Sequence, residues 1–232
     1  MILDFNIKNL WVLNAFGIEI WITETIFNTW IIMLLLIIIA VIVRVKLRKF
    51  KETPAGFQNI VEIAVESIDG LVSSAAGEKF MVLGNWFFMV FAFVLMSSLA
   101  GIFGLRPPTA DWATPFALAL ATFILTHVMG IAHRKGKYLK SFFEPTFIFF
   151  PLNIIGELSR PISLSFRLFG NVLAGMILMT LVYGIAPMFL RFVIPAALHA
   201  YFDLFSGVLQ TYIFCILSLT FIGAAASSAE DV

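Results

Sequence analysis

The chain has 232 residues, 61% of them hydrophobic and only 12% charged, with a formal net charge of +1 and a mean hydropathy of +1.00. Soluble domains run about 45–50% apolar and about 25% charged, so a water-facing shell around a soluble core is excluded and an all-α polytopic membrane protein is expected. A single cysteine, Cys215 in the apolar run TYIFCILSLTF, excludes an internal disulfide framework and a cysteine-rich metal site, and reads as a small apolar residue.

Residues 1–24 show no basic region followed by a compact apolar core and a small-residue cleavage site. They read as an outer segment, with the first span serving as its own insertion signal. That span, about Thr25 to Val45, contains WIIMLLLIIIAVIV and is long enough to cross about 30 Å of hydrocarbon. The basic run RVKLRKFK closes it within 25–52. The stretch 53–76 follows, with Gln58, Asn59, Glu62, Glu66, Asp69 and Ser73 at helical spacing and Phe57, Ile60, Val61, Ala64, Ile68, Leu71 and Val72 between them. An acidic stripe on an apolar helix suits an amphipathic helix lying in the membrane plane, or one packed on a neighbouring subunit. The second and third spans, about Phe80–Phe103 and Ala113–Ile131, form a hairpin over 80–133 joined by GLRPPTAD. The last two, about Phe147–Ile185 and Phe189–Ala226, form a longer hairpin over 147–228, with Pro187 and Pro195 marking its turn. Five spans and one in-plane helix thus make a single membrane domain over 1–232. RVKLRKFK and HRKGKYLK carry nine of the fifteen Lys and Arg, and the excess of positive charge on the cytoplasmic side places both loops there. The N-terminus is then outside and the C-terminus inside.

Polar groups within the spans are few, and an ionisable side chain at membrane depth is a functional hypothesis by default. Arg167, between Phe166 and Leu168, is the most demanding. A guanidinium cannot discharge, since its pKa stays above about 12. About fifteen largely apolar residues follow it, and Arg160 already occupies the nearer end, so its head cannot simply reach the surface along a long stem. Ser163 and Asn171 lie four residues to either side and share its helix face, with Arg160 one turn further back. In the last span, Asp203 and Gln210 are seven residues apart, two α-helical turns, and so are expected on one face. Gln210 is suited to bond Arg167 if the hairpin packs antiparallel. Glu157 and Asp111 add carboxylates near helix ends. No GxxxxGK[ST] loop or HExxH is present, and the three histidines, His127, His133 and His199, have no haem-like spacing.

SRPISLSFRLFGNVLAG, followed by FDLFSGVLQTYIFCILSLTFIG and preceded by LRPPTAD, resembles subunit a of F-type rotary ATP synthases of the bacterial type. The resemblance covers most of the chain beyond residue 25, in both motifs and order of spans. It implies an ion-translocating stator subunit beside a rotating ring of c subunits, held by peripheral-stalk b subunits in the bacterial plasma membrane. It implies no nucleotide site, cofactor, metal or nucleic acid. Two offset aqueous half-channels bring H+ or Na+ to the ring carboxylates and away from them. Arg167 matches the arginine that separates the half-channels, Gln210 and Asn171 the residues that hold it, Glu157 an acidic position of the cytoplasmic half-channel, and Asp111 the aspartate of the P-[ST]-A-D segment at the outer entrance. Ser163 joins the ion path by its place on the Arg167 face. Two departures stand out: Met176 occupies a position that is ionisable in many relatives, and Asp203 stands where histidine or glutamate is usual. A self-contained secondary transporter would instead show an inverted repeat, whereas the polar positions cluster in the last hairpin alone. An intramembrane serine protease would need a histidine after Ser206, and none follows.

Overall fold

The computed structural model describes residues 9–15, 18–185, 187 and 190–227. These residues are helical almost throughout, as the apolar composition demands. Without water in the bilayer core, backbone N–H and C=O groups must bond within their own segment. Helix α1 spans Glu24–Leu47, α2 Phe57–Ala75, α3 Gly84–Leu99, α4 Ala113–Arg134 and α5 Gly136–Ser141. They are followed by α6 (Phe150–Ile185), α7 (Leu190–His199) and α8 (Gly207–Ala226). Short 3-10 turns lead into α3 (Glu78–Leu83) and out of it (Ala100–Phe103), and a π-helical turn, Ala200–Ser206, joins α7 to α8. Five stretches are long and apolar enough to cross a membrane: Glu24–Leu47, Glu78–Phe103, Ala113–Arg134, Phe147–Ile185 and Ile194–Ala226. The chain is an all-α polytopic membrane protein in its membrane part. The N-terminal segment adds something hydropathy does not reveal, an antiparallel hairpin of β1 (Asn9–Ala15) and β2 (Ile18–Thr23).

The chain forms two compact units. One is built from Met1–Val45, Ala92–Thr114 and Leu168–Thr211. In it α1 buries only Thr25, Asn28 and Ile32. Two of the three are polar, and both bond to the LRPPTAD loop: Asn28 Nδ2 donates to the Arg106 carbonyl at 2.9 Å and Thr25 Oγ1 to Asp111 Oδ2 at 3.3 Å. Polar bonds of this kind hold helices together where lipid removes the hydrophobic drive for association. The same unit contains the antiparallel turn of the last hairpin, with Gly175 against the Phe202 side chain and Asn171 bonded to Ser206.

The other unit is built from Lys46–Phe91, Pro115–Arg167 and Tyr212–Val232. Here α2 buries Gln58, Ile68, Leu71 and Val72, while Phe57, Ile60 and Ile63 remain exposed. The buried Gln58 is satisfied locally: its amide exchanges bonds of 3.0 and 2.6 Å with the Lys51 backbone and donates to Glu62 Oε1 at 2.7 Å. It fixes the joint between the first basic loop and α2. At the far end of α4, the Tyr138 ring lies so close to Gly130 that an added Cβ would sit 2.7 Å from it.

Candidate functional site

The polar side chains of the spans gather in two places, one in each unit. In the second unit, a cavity of about 320 Å³ is lined by Tyr138, Glu144, Asn153, Glu157 and Arg160 among others. Glu157 and Arg160 form an i,i+3 ion pair at 2.9 Å on α6, and the Arg160 guanidinium rests over the Phe221 ring at 5.0 Å. Asn153 anchors the cavity rim through bonds to the Phe142 and Glu144 carbonyls at 2.9 and 3.1 Å. Tyr138 Oη meets His127 Nδ1 at 2.6 Å, and burial, followed by the nearby Glu157 charge, pushes the phenol pKa above its ordinary value. The phenol therefore stays protonated and serves as a fixed polar wall. Arg160, at the nearer end of the segment that carries Arg167, thus neutralises Glu157.

In the first unit, the centre is the π-helical turn. His199 Nδ1 and Asp203 Oδ2 are hydrogen-bonded at 2.5 Å, with the histidine one turn before the aspartate. The carboxylate lies against the backbone of the 3-10 turn after α3: a Cβ at Gly101 would come within 2.6 Å of Asp203 Oδ2. One turn further along, Ser206 Oγ donates to Asn171 Oδ1 at 2.7 Å, tying α6 to the same segment. Gln210 is buried, at 7% exposure, and its Nε2 has no hydrogen-bond partner among the described residues. The α-helical phase that would place Asp203 and Gln210 on one face is interrupted here, because the Ala200–Ser206 turn is π-helical. Such turns bond i to i+5, are wider than an α-turn, and recur at functional sites.

The remaining candidates make no hydrogen bond or ion pair to either group among the described residues. Asp111 accepts from Thr25 through Oδ2 and from the Ala113 N–H through Oδ1 at 3.3 Å, an Asx-type turn that leads into α4. Arg167 and Ser163 are exposed on α6, and Arg167 makes no ion pair or hydrogen bond among the described residues. His199 and Ser206 are functional candidates that sequence reasoning passed over. Their signal was the spacing His199-x3-Asp203-x2-Ser206, helical steps along one polar line.

A family model described as the ATP synthase A chain matches residues 26–223. Among individual proteins, the chain is 35% identical to ATP synthase subunit a 1 of Syntrophotalea carbinolica, over 88% of this chain and 86% of the relative. It is 36% identical to ATP synthase subunit a 2 of Picosynechococcus, over 90% and 88%. It is also 34% identical to the Propionigenium modestum protein named ATP synthase subunit a, sodium ion specific, over 90% and 76%. The match takes in both polar groups, the loop that carries Asp111 and the helix that carries Arg167, and so this chain belongs to the ATP synthase A chain family, the membrane-embedded subunit a of the ATP synthase complex.

Proposed function

We propose that the chain is the stator half of an ion path, with Arg167 separating two half-channels that serve the carboxylates of a rotating ring of c subunits. One observation carries the reading. Arg167 lies within an apolar span and yet is exposed on the chain's own surface, without a partner among the described residues. A permanent cation facing lipid costs at least about 2.5–3.5 kcal/mol. A neighbouring subunit with an acidic group at that depth removes the cost. Gly156, Ser159, Ser163 and Arg167 line the exposed side of α6 at helical steps, and such small side chains let a partner helix approach closely.

The fixed charge then does two things. It favours the ionised form of each ring carboxylate as it passes, so the bound ion leaves into the exit path. It also repels a cation seeking a direct route between the paths. The cavity beside Glu157 supports the cytoplasmic half-channel, and the His199–Asp203 pair supports the outer one. With methionine at 176, the second ionisable group of the outer path is His199, on the same helix as Asp203. The family resemblance assigns Asn171 and Gln210 to holding the arginine in the assembled complex, where b subunits hold the chain against rotation. The transported ion is H+ or Na+, and nucleotide chemistry resides on other subunits.

The test is Arg167→Ala in the assembled complex. Ion-driven ATP synthesis and ATP-driven pumping are both expected to vanish while the complex still assembles, because no other group separates the paths. Normal rates of both would overturn the reading. Stimulation of ATP hydrolysis by Na+ at alkaline pH decides the ion.

A further inference from the structure

We propose that a second, basic cavity in the Lys46–Phe91, Pro115–Arg167 and Tyr212–Val232 unit is a binding site for the phosphate-bearing headgroup of an anionic phospholipid. The cavity has a volume of about 950 Å³. Its lining carries the cations Lys79, Arg134, Lys135 and Lys137, with His133 beside them, against one carboxylate, Glu78. These come from two separate elements, the 3-10 turn before α3 and the α4–α5 junction, and the end of α8 supplies Ala226 and Ser227. Cations near a helix C-terminus complement its dipole, which accounts for one or two of them at the end of α4. It does not account for Lys79, which belongs to another element.

Two further observations point to a ligand. Lys135 holds φ at 51°, a region that side chains other than glycine rarely adopt, and Gly77, also in the lining, has φ 100°. A non-glycine residue held there is strained, and such strain clusters at ligand clamps. Arg134 stands in the wall shared by this cavity and the one beside Glu157, and its Nε is buried with no hydrogen-bond partner among the described residues, a cationic donor left to be satisfied. The place selects the ligand. The cavity sits where α3 begins and α4 and α8 end, at one common end of three apolar spans, which is the depth of lipid headgroups. Basic pockets between membrane helices recognise anionic headgroups through charge and N–H donors. The inference does not depend on the ion path, since it concerns a resting complex.

The experiment uses the assembled complex in phosphatidylcholine vesicles containing a minor fraction of phosphatidylglycerol with a photoactivatable headgroup, followed by mapping of the labelled peptides. Labelling is expected within 76–80 and 133–137, well above that from photoactivatable phosphatidylcholine. Lys79→Gln and Lys135→Gly are each expected to lower it about fivefold, the effect of removing one charge near the surface. Glycine at 135 accepts the observed φ, so the second variant keeps the fold even where the first does not. Equal loss from Lys49→Gln and Lys51→Gln, outside the cavity, would reduce the effect to general surface charge and overturn the proposal. Suppression by inorganic phosphate beyond that by chloride at equal ionic strength would assign the cavity to a free anion. A large gain from Glu230→Gln with Asp231→Asn would assign it to the chain's own acidic tail. Either result would overturn the lipid assignment.

Discussion

Asp203 shows how a single carboxylate is held inside a span. It bonds His199 and lies against Gly101, where no other residue leaves room. Gly101→Ala brings a methyl group within 2.6 Å of Oδ2, so the carboxylate must shift and its geometry with His199 is disturbed. We expect ATP-driven pumping to fall at least about tenfold, on the scale of losing a positioned proton-transfer group, while the amount of assembled complex is unchanged. Gly70→Ala in α2, where nothing lies within 4 Å of the added atom, is expected to leave pumping intact and add up to about 1 kcal/mol of stability. Equal pumping by the two variants would remove the Asp203 pair from the ion path. Asp111 is a second case. Its two bonds, to Thr25 and to the Ala113 N–H, give it a structural load beside the entrance role read from its motif. Asp111→Ala is expected to lower thermal stability by about 1 kcal/mol. Asp111→Asn keeps both acceptor positions served by an amide oxygen only in part, and should recover roughly half of that loss. A transport defect in the asparagine variant with stability recovered would isolate the part played by charge.

Elements differ in how far they could be read from the chain. The five spans were legible because lipid allows only one solution for the backbone, and runs such as WIIMLLLIIIAVIV satisfy it by composition alone. The β-hairpin was not legible, because NLWVLNA and IEIWIT are apolar and short, and apolar runs of that length do not distinguish strand from helix. The His199–Asp203 pair is present as an i,i+4 spacing, but a lone histidine in a polar-poor span gives no sign in sequence that it meets the carboxylate. The π turn had no signal at all, since nothing in AYFDLFS marks a change from i+4 to i+5 bonding. In α4, Gly130 looks in sequence like an ordinary small residue of a membrane helix. The structure gives it a neighbour, the Tyr138 ring at 2.7 Å from an added Cβ. Gly130→Ala is therefore expected to destabilise by about 1–3 kcal/mol through overpacking, less up to about 1 kcal/mol from better helix propensity. Thermal denaturation of the complex checks it, and the companion Gly130→Ala, Tyr138→Leu variant should recover part of the loss.

Across the whole molecule, burial differs between the spans. Only 11% of the apolar window of α1 is buried, against 50% of that in the final span, so α1 leaves most of its apolar surface for lipid or partners while the last span packs more of its own within the chain. The two basic loops predict the membrane orientation, and the buried thiol makes it measurable. Cys215 is fully buried, so it is silent to a membrane-impermeant thiol reagent. Against that background, Lys49→Cys and Lys140→Cys are expected to react only from the cytoplasmic side and Asn14→Cys only from the outside. The reverse pattern would invert the topology and exchange the two half-channels. The π turn also bears on how this chain is compared with its relatives. Counting seven residues back from Gln210 reaches Asp203, but the count runs through a segment that advances less rotation per residue than an α-helix. A column in a sequence comparison fixes chemical identity; the direction in which that chemistry points depends on every turn between. Two proteins can share the letter and spacing at this position and aim their carboxylates at different neighbours.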